Sequence, residues 1–153
     1  MPDSPSAADR EKWQRIEKLY QRSRGHFPTV PELTAPELVA LRASRPVLLV
    51  DVRNQDELAV SRIPGAITPQ ELEERWSEAL ATPVVTYCTI GHRSGLYAQM
   101  LRDRGVDAYN LAGSILAWTH NGGELVNADG PTRRVHVSGP KWSLEADGYE
   151  PVW

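Results

Sequence analysis

The chain of 153 residues holds a single cysteine, Cys88. No disulfide can close within it, which excludes a secreted disulfide scaffold. It has no Cys-x-x-Cys pair, and its histidines, His26, His92, His120 and His136, share no paired ligand spacing. These two absences exclude structural zinc. A Gly-rich nucleotide loop is missing too, because Gly122-Gly123 closes a helical stretch instead of opening one. No metal or organic cofactor is therefore expected. The longest apolar runs, among them Val47-Leu48-Leu49-Val50, fall far short of a membrane span. The start, Met1-Pro2-Asp3-Ser4-Pro5-Ser6, lacks the basic and apolar regions of a secretory signal. Charge of one sign is not in excess either. With 17 basic and 20 acidic residues the formal net charge is −3, which gives no drive toward nucleic acid or an anionic membrane. The expected setting is soluble, reducing and cytoplasmic.

What is present is the length of one domain, with alternating strand and helix signals. Residues 1–6 are rich in Pro and Ser and read as disordered. Over residues 7–24, Trp13, Ile16, Leu19 and Tyr20 fall at helical spacing, and Gly25 and Pro28 stop the helix. This helix docks on the main domain or, alternatively, binds a partner or a second copy. A short helix is expected over 36–44, starting near Thr34 or Ala35. Residues 46–52 form an apolar run of the kind found in a strand buried on both faces. The spacing of Leu72, Trp76 and Leu80 predicts one helix over 70–80. Residues 83–87 read as a second buried strand. A helix is expected over 94–104, with Leu96, Tyr97, Met100 and Leu101 inward. A strand follows over 107–111 and a helix over 113–121. This alternation argues for α/β architecture: a central, mainly parallel sheet of about five strands with helices on both faces. After Glu124 only 133–137 reads as a strand. Trp142, Tyr149 and Trp153 are too apolar for a loose tail, so the segment should wrap back onto the domain, as packing or as a lid on the site. The expected division is an N-terminal tail and helix (1–26), a central domain (27–123) and a C-terminal extension (124–153).

The chemistry concentrates in Cys88-Thr89-Ile90-Gly91-His92-Arg93-Ser94. Cys88 follows a buried strand and precedes a helix, and ligand sites in parallel α/β sheets lie at the carboxyl ends of strands. A helix N-terminus presents free N–H groups and the positive end of its dipole. Both favour a thiolate over a thiol, and Arg93 adds positive charge. No residue from Thr89 to Ser94 is proline, so each offers an N–H to a central anion, and Gly91 lets the loop bend. Ser94 is expected to cap the helix or bond the bound group. His92 reads equally as a solvated loop residue and as a proton donor.

These residues carry a resemblance to the single-domain rhodanese family of sulfurtransferases. The loop resembles the family's C-x-x-G-x-R-S. Leu49-Val50-Asp51-Val52-Arg53 followed by Glu57 resembles L-[IV]-D-V-R-x-x-x-E. Ile63-Pro64-Gly65-Ala66-Ile67 resembles I-P-G-A-[IV], and Leu111-Ala112-Gly113-Ser114 with Trp118 resembles L-x-G-G-x-x-x-W. The order also matches, over about residues 29–123. Two departures stand out: Ser61-Arg62 replaces the common Gly-His, and Ser114 replaces the second Gly. Neither is expected to touch the loop. The resemblance implies a rhodanese-like fold with Cys88 in a shallow pocket at the sheet's carboxyl edge. It implies a Cys88 persulfide formed from a small sulfur donor such as thiosulfate and passed to a thiol, a protein acceptor, or cyanide in vitro. Thr89, Ile90, Gly91, His92, Arg93 and Ser94 would bind the substrate. With only Arg93 charged among the loop's first residues, thiosulfate affinity should be weak. Asp51, Arg53 and Glu57 are read as structural, with Arg53 and Glu57 paired across four residues. The chain would act as a monomer or homodimer.

Two rivals remain. A phosphatase or arsenate reductase of this fold needs five residues between Cys and Arg, whereas four (Thr89, Ile90, Gly91, His92) stand here. A non-catalytic interaction module usually lacks the cysteine, which this chain keeps.

Overall fold

A computed structural model describes residues 5–153. The disordered reading of the chain start lies, for residues 1–4, outside the described residues. The first helix, α1 (Ala7–Arg24), opens where Ser6 accepts from the Asp9 N–H at 3.0 Å and ends at Gly25. Its buried residues are Ile16 and Tyr20, and it packs against the helices His92–Asp103 and Ser114–His120.

The central sheet has four strands, all parallel: β1 (Glu32–Leu33), β2 (Leu48–Asp51), β3 (Val84–Tyr87) and β4 (Ala108–Leu111), in spatial order β1-β4-β3-β2. Every residue of β2 and β3 is buried, as continuous apolar runs covered on both faces require. The expected fifth strand is absent from this sheet. Its place beside β2 is taken by one parallel bridge, Val50 to Ile67. Ile67 cannot extend into a strand, because Pro64-Gly65 precede it and Thr68-Pro69 start a helix directly after.

Helices fill the connections. α2 (Ala35–Ser44) starts at a reciprocal cap, with Thr34 and Glu37 each bonding the other's N–H. α3 (Gln55–Val60) starts the same way, through Asn54 and Glu57. The single helix expected over 70–80 is two, α4 (Pro69–Glu74) and α5 (Trp76–Ala81). The break at Arg75 (φ −114°, ψ 32°) resets the inward face, so Leu72 and Ala79 are buried while Leu80 is 53% exposed. Helix α6 (His92–Asp103) begins two residues earlier than expected, because Gly91 turns the chain at φ +128°. Its inward face is Ser94, Gly95, Ala98 and Leu101; Leu96 and Met100 are 45% and 42% exposed, contrary to expectation. Small residues face inward because the Phe27 ring packs there, 2.2 Å from where a Cβ on Gly95 would stand.

Helix α7 (Ser114–His120) is buried over six of its residues. Beyond it, β5 (Leu125–Asn127) and β6 (Gly130–Thr132) form an antiparallel hairpin, and β7 (Arg134–His136) pairs in parallel with β8 (Glu150–Val152). The strand read at 133–137 thus lies outside the central sheet. The tail wraps back: Val135, Val137, Ala146 and Tyr149 join the core cluster around Leu111 and Leu116. Tyr149 OH also donates to Gly123 O at 2.7 Å. Fully burying a Val side chain is worth about 1.5–3 kcal/mol, so this tail is part of the fold's stability. Among the described residues, no helix is long and apolar enough to cross a membrane.

Candidate active site

The loop from Cys88 to Gly91 runs from the end of β3 to the start of α6, at the carboxyl end of the sheet. Cys88 is 2% exposed. Its Sγ accepts from the Gly91 N–H at 3.2 Å and lies 3.3 Å from Ser94 Oγ. Ser94 is inside the first turn of α6 and does not cap it; Gly91 holds the cap position. The Ser94 hydroxyl also lies 2.6 Å from Asn110 Oδ1. It has one proton, so it serves the oxygen or the sulfur. Asn110 Nδ2 donates to Gly91 O at 2.9 Å, and Thr86 Oγ1 donates to Ser94 O at 2.9 Å. The underside of the loop is therefore tied to β3 and β4.

Helix α7 also holds the loop. Ile115 N donates to Cys88 O and Leu116 N to Thr89 O, both at 3.2 Å. Ser114 Oγ accepts from Cys88 N at 3.1 Å and donates to Leu111 O at 3.1 Å. Ser114 thus touches the loop, against expectation. It adopts φ +49°, a region usually left to glycine, and its hydroxyl satisfies the buried Cys88 N–H, which no glycine side chain could do.

The ion pairs differ from the expected ones. Arg53 does not reach Glu57. It is buried and bidentate to Asp51, with Nε to Oδ1 at 3.0 Å and Nη2 to Oδ2 at 2.8 Å, and it donates to Ser61 O at 2.8 Å. Glu57 instead holds Arg93 by two parallel bonds, 2.8 and 3.0 Å. Thr89 Oγ1 donates to Glu57 Oε2 at 3.2 Å and accepts from Arg93 at 3.0 Å. Burial pushes the Glu57 carboxyl up, but the bonds and charge of Arg93 outweigh it and hold the group down at about 2. The Arg93 charge is thereby compensated from α3. Two groups of the tail complete the cluster: Ser138 Oγ at 3.5 Å and His136 Nδ1 at 3.9 Å from Glu57 Oε2.

A cavity of about 430 Å³ opens above Cys88. Its floor and one side are Cys88, Thr89, Ile90, His92 and Arg93. A second wall comes from α1, through Leu19, Arg22 and Ser23. The third comes from the tail, through Val137, Ser138 and Trp142. His92 is exposed and stands edge-on to His26, ring centroids 5.1 Å apart. Gly91 and Ser94 are buried below. The Tyr20 ring of α1 lies against Gly91, 2.6 Å from where a Cβ would stand. The pocket is lined from three sides: the loop, α1 and the tail.

The model of the rhodanese-like domain matches residues 34–121, more than half of the chain. The chain belongs to the rhodanese-like domain family. Within that family it is 39% identical over 88 residues to a sulfurtransferase of Allochromatium vinosum, covering 55% of this chain and 82% of the relative. It is 34% identical over 83 residues to the tRNA uridine(34) hydroxylase of Chlamydia caviae, covering 46% of this chain and only 25% of that protein. The chain spans about a quarter of the length of such hydroxylase relatives. A crystal structure of a thiosulfate sulfurtransferase from Pseudomonas aeruginosa superposes with a TM-score of 0.59 at 27% identity. It covers 73% of this chain and 23% of that one.

Four residues of this rhodanese-like site escaped sequence reasoning as site residues. Glu57 stood in a matched motif, but its partner lies 36 positions away, beyond any periodicity signal. Ser114 signalled itself only as a departure from glycine. Asn110 and Tyr20 gave no signal, because only the packed sheet and helix bring them under the loop.

Proposed function

We propose that this protein is a persulfide-forming sulfurtransferase of the rhodanese type. The observation that carries the reading is the Cys88 sulfur at the cavity floor, with the Gly91 N–H at 3.2 Å and the first turn of α6 behind it. The Cys88 thiolate attacks the outer sulfur of a donor such as thiosulfate. A new S–S bond forms on Cys88, the donor's own S–S bond breaks, and sulfite leaves with the bonding pair. A thiophilic acceptor (cyanide in vitro, a thiol or protein in the cell) then attacks the outer sulfur, and Cys88 leaves again as thiolate. The cycle is two-step and covalent. The Gly91 N–H and the N–H groups of the first helical turn stabilise the anionic outer sulfur. Four residues between Cys88 and Arg93 make a cradle suited to one sulfur rather than a phosphoryl group.

The test is an intact-mass spectrum after thiosulfate and then after cyanide. The expected result is a gain of one sulfur atom, its loss on adding cyanide, and no gain in Cys88→Ser. No gain with thiosulfate, 3-mercaptopyruvate or a persulfidated protein would overturn the reading in favour of an interaction module.

A further inference from the structure

Two of the three walls of the Cys88 cavity lie outside the matched domain at 34–121, on α1 and on the tail. Their chemistry differs from the floor's. Leu19 on one side, Trp142 on the other and Ile90 at the floor present apolar surface, and Val137 backs the tail side while itself buried. These apolar side chains offer an inorganic dianion no hydrogen bond; on the two walls the donors are Arg22, Ser23, Ser138 and the Trp142 ring nitrogen. At about 430 Å³ the space falls in the range of small-molecule sites, and a five-heavy-atom anion fills little of it. The rim is cationic. Arg22 lines the cavity and forms no ion pair among the described residues. Arg93, by contrast, is engaged by Glu57. The tail wall is anchored, since Ser138 reaches Glu57 and Val137 N donates to Val152 O at 2.9 Å.

We infer that the cavity selects organic sulfane-sulfur donors, with an apolar, preferably aromatic, body between Leu19 and Trp142 and an anionic group toward Arg22. The inference rests on the sulfur-transfer reading for its chemistry and names its substrate class. For an aryl thiosulfonate the step balances: the Cys88 thiolate takes the terminal sulfur, the donor's S–S bond breaks, and the aryl sulfinate leaves with the electron pair. The walls set which donor reaches the thiolate, so Leu19 and Trp142 are specificity residues and not catalytic ones.

The test has a binding arm and a transfer arm. In the first, naphthalene-2-sulfonate, which has no sulfane sulfur, is titrated against alkylation of Cys88 by iodoacetamide. Protection is expected, with its midpoint raised about tenfold in Trp142→Ala and in Leu19→Ala. In the second, single-turnover sulfur uptake is timed with benzenethiosulfonate and with thiosulfate. The ratio of the two rates should fall about tenfold in each variant. Two separate walls are probed, so misfolding of one variant does not stop the test. Absence of protection at millimolar concentration, with the rate ratio unchanged in both variants, overturns the inference. Protection that the variants lose, without sulfur uptake from either donor, overturns the transfer reading and leaves the pocket's preference standing.

Discussion

The central sheet and the two ends of the chain meet around the same sulfur, but they are built on different rules. In the sheet, β2 and β3 are buried at every residue, and the reactive loop leaves β3 at the carboxyl edge, where the fold places its ligands. Its polar groups are tied pairwise: Asp51 to Arg53, Glu57 to Arg93, Ser114 to Cys88 N. The ends contribute through faces rather than pairs. Helix α1 lays Ile16 and Tyr20 on the domain and turns Leu19 and Arg22 to the cavity, while the tail buries Val135, Val137 and Tyr149 and offers Trp142. The difference separates two tasks. The sheet and its loop position the sulfur, and the ends decide what can approach it.

The largest effect expected on the sheet side is that of Asp51→Ala. It strands the fully buried Arg53 without its carboxylate, and breaking a buried pair from one side costs about 3–5 kcal/mol. Denaturant unfolding reads this directly. A change below about 1 kcal/mol would mean that Ser61 O and the Tyr87 ring hold Arg53 without Asp51. On the other side of the comparison stands Ile16→Ala in α1. If the helix belongs to the cooperative unit, the variant loses about 2–5 kcal/mol in the same single transition. A separate early transition for α1 would instead break the view that this end is part of the domain's core.

The smallest effect concerns the Glu57 clamp, where loop and tail meet. The Glu57 carboxyl is held at about 2, below its ordinary 4.5, so ionised Glu57 stabilises the fold above about pH 4.5. That contribution is lost as pH falls from about 4.5 toward about 2. Arg93, Arg53 and His136 are the charged or titratable groups facing it. The stability gap between wild type and Glu57→Gln should shrink across this window. A constant gap would assign the role of Glu57 to hydrogen bonding, with its charge contributing nothing.

Much of this was legible before any coordinates. The apolar run at 46–52, the strand at 83–87 and the stops at Gly25 and Gly122-Gly123 depend on local composition, and the strands and helix ends follow them. Local pattern failed where a longer-range partner competes. Leu96 and Met100 carry the right spacing for a buried face, but Phe27 occupies that space and favours Gly95 and Ala98. Arg53 and Glu57 have the right spacing for a pair, but Arg53 finds Asp51 beneath the sheet edge and Glu57 finds Arg93 across the loop. The expected count of about five strands exceeds the four of the central sheet, and beside β2 Pro and Gly leave room for only one bridge at Ile67.

The amino-acid sequence by itself determined the α/β alternation, the single thiol and the proline-free loop after it, because these depend on residue type and near neighbours. The tertiary structure alone decided which carboxylate clamps Arg93, that Ser114 supports Cys88, and that Leu19 and Trp142 line one cavity. Those contacts join residues tens of positions apart. Their energies come from mutual burial and complementary hydrogen bonding, which exist only once the sheet has brought the partners together.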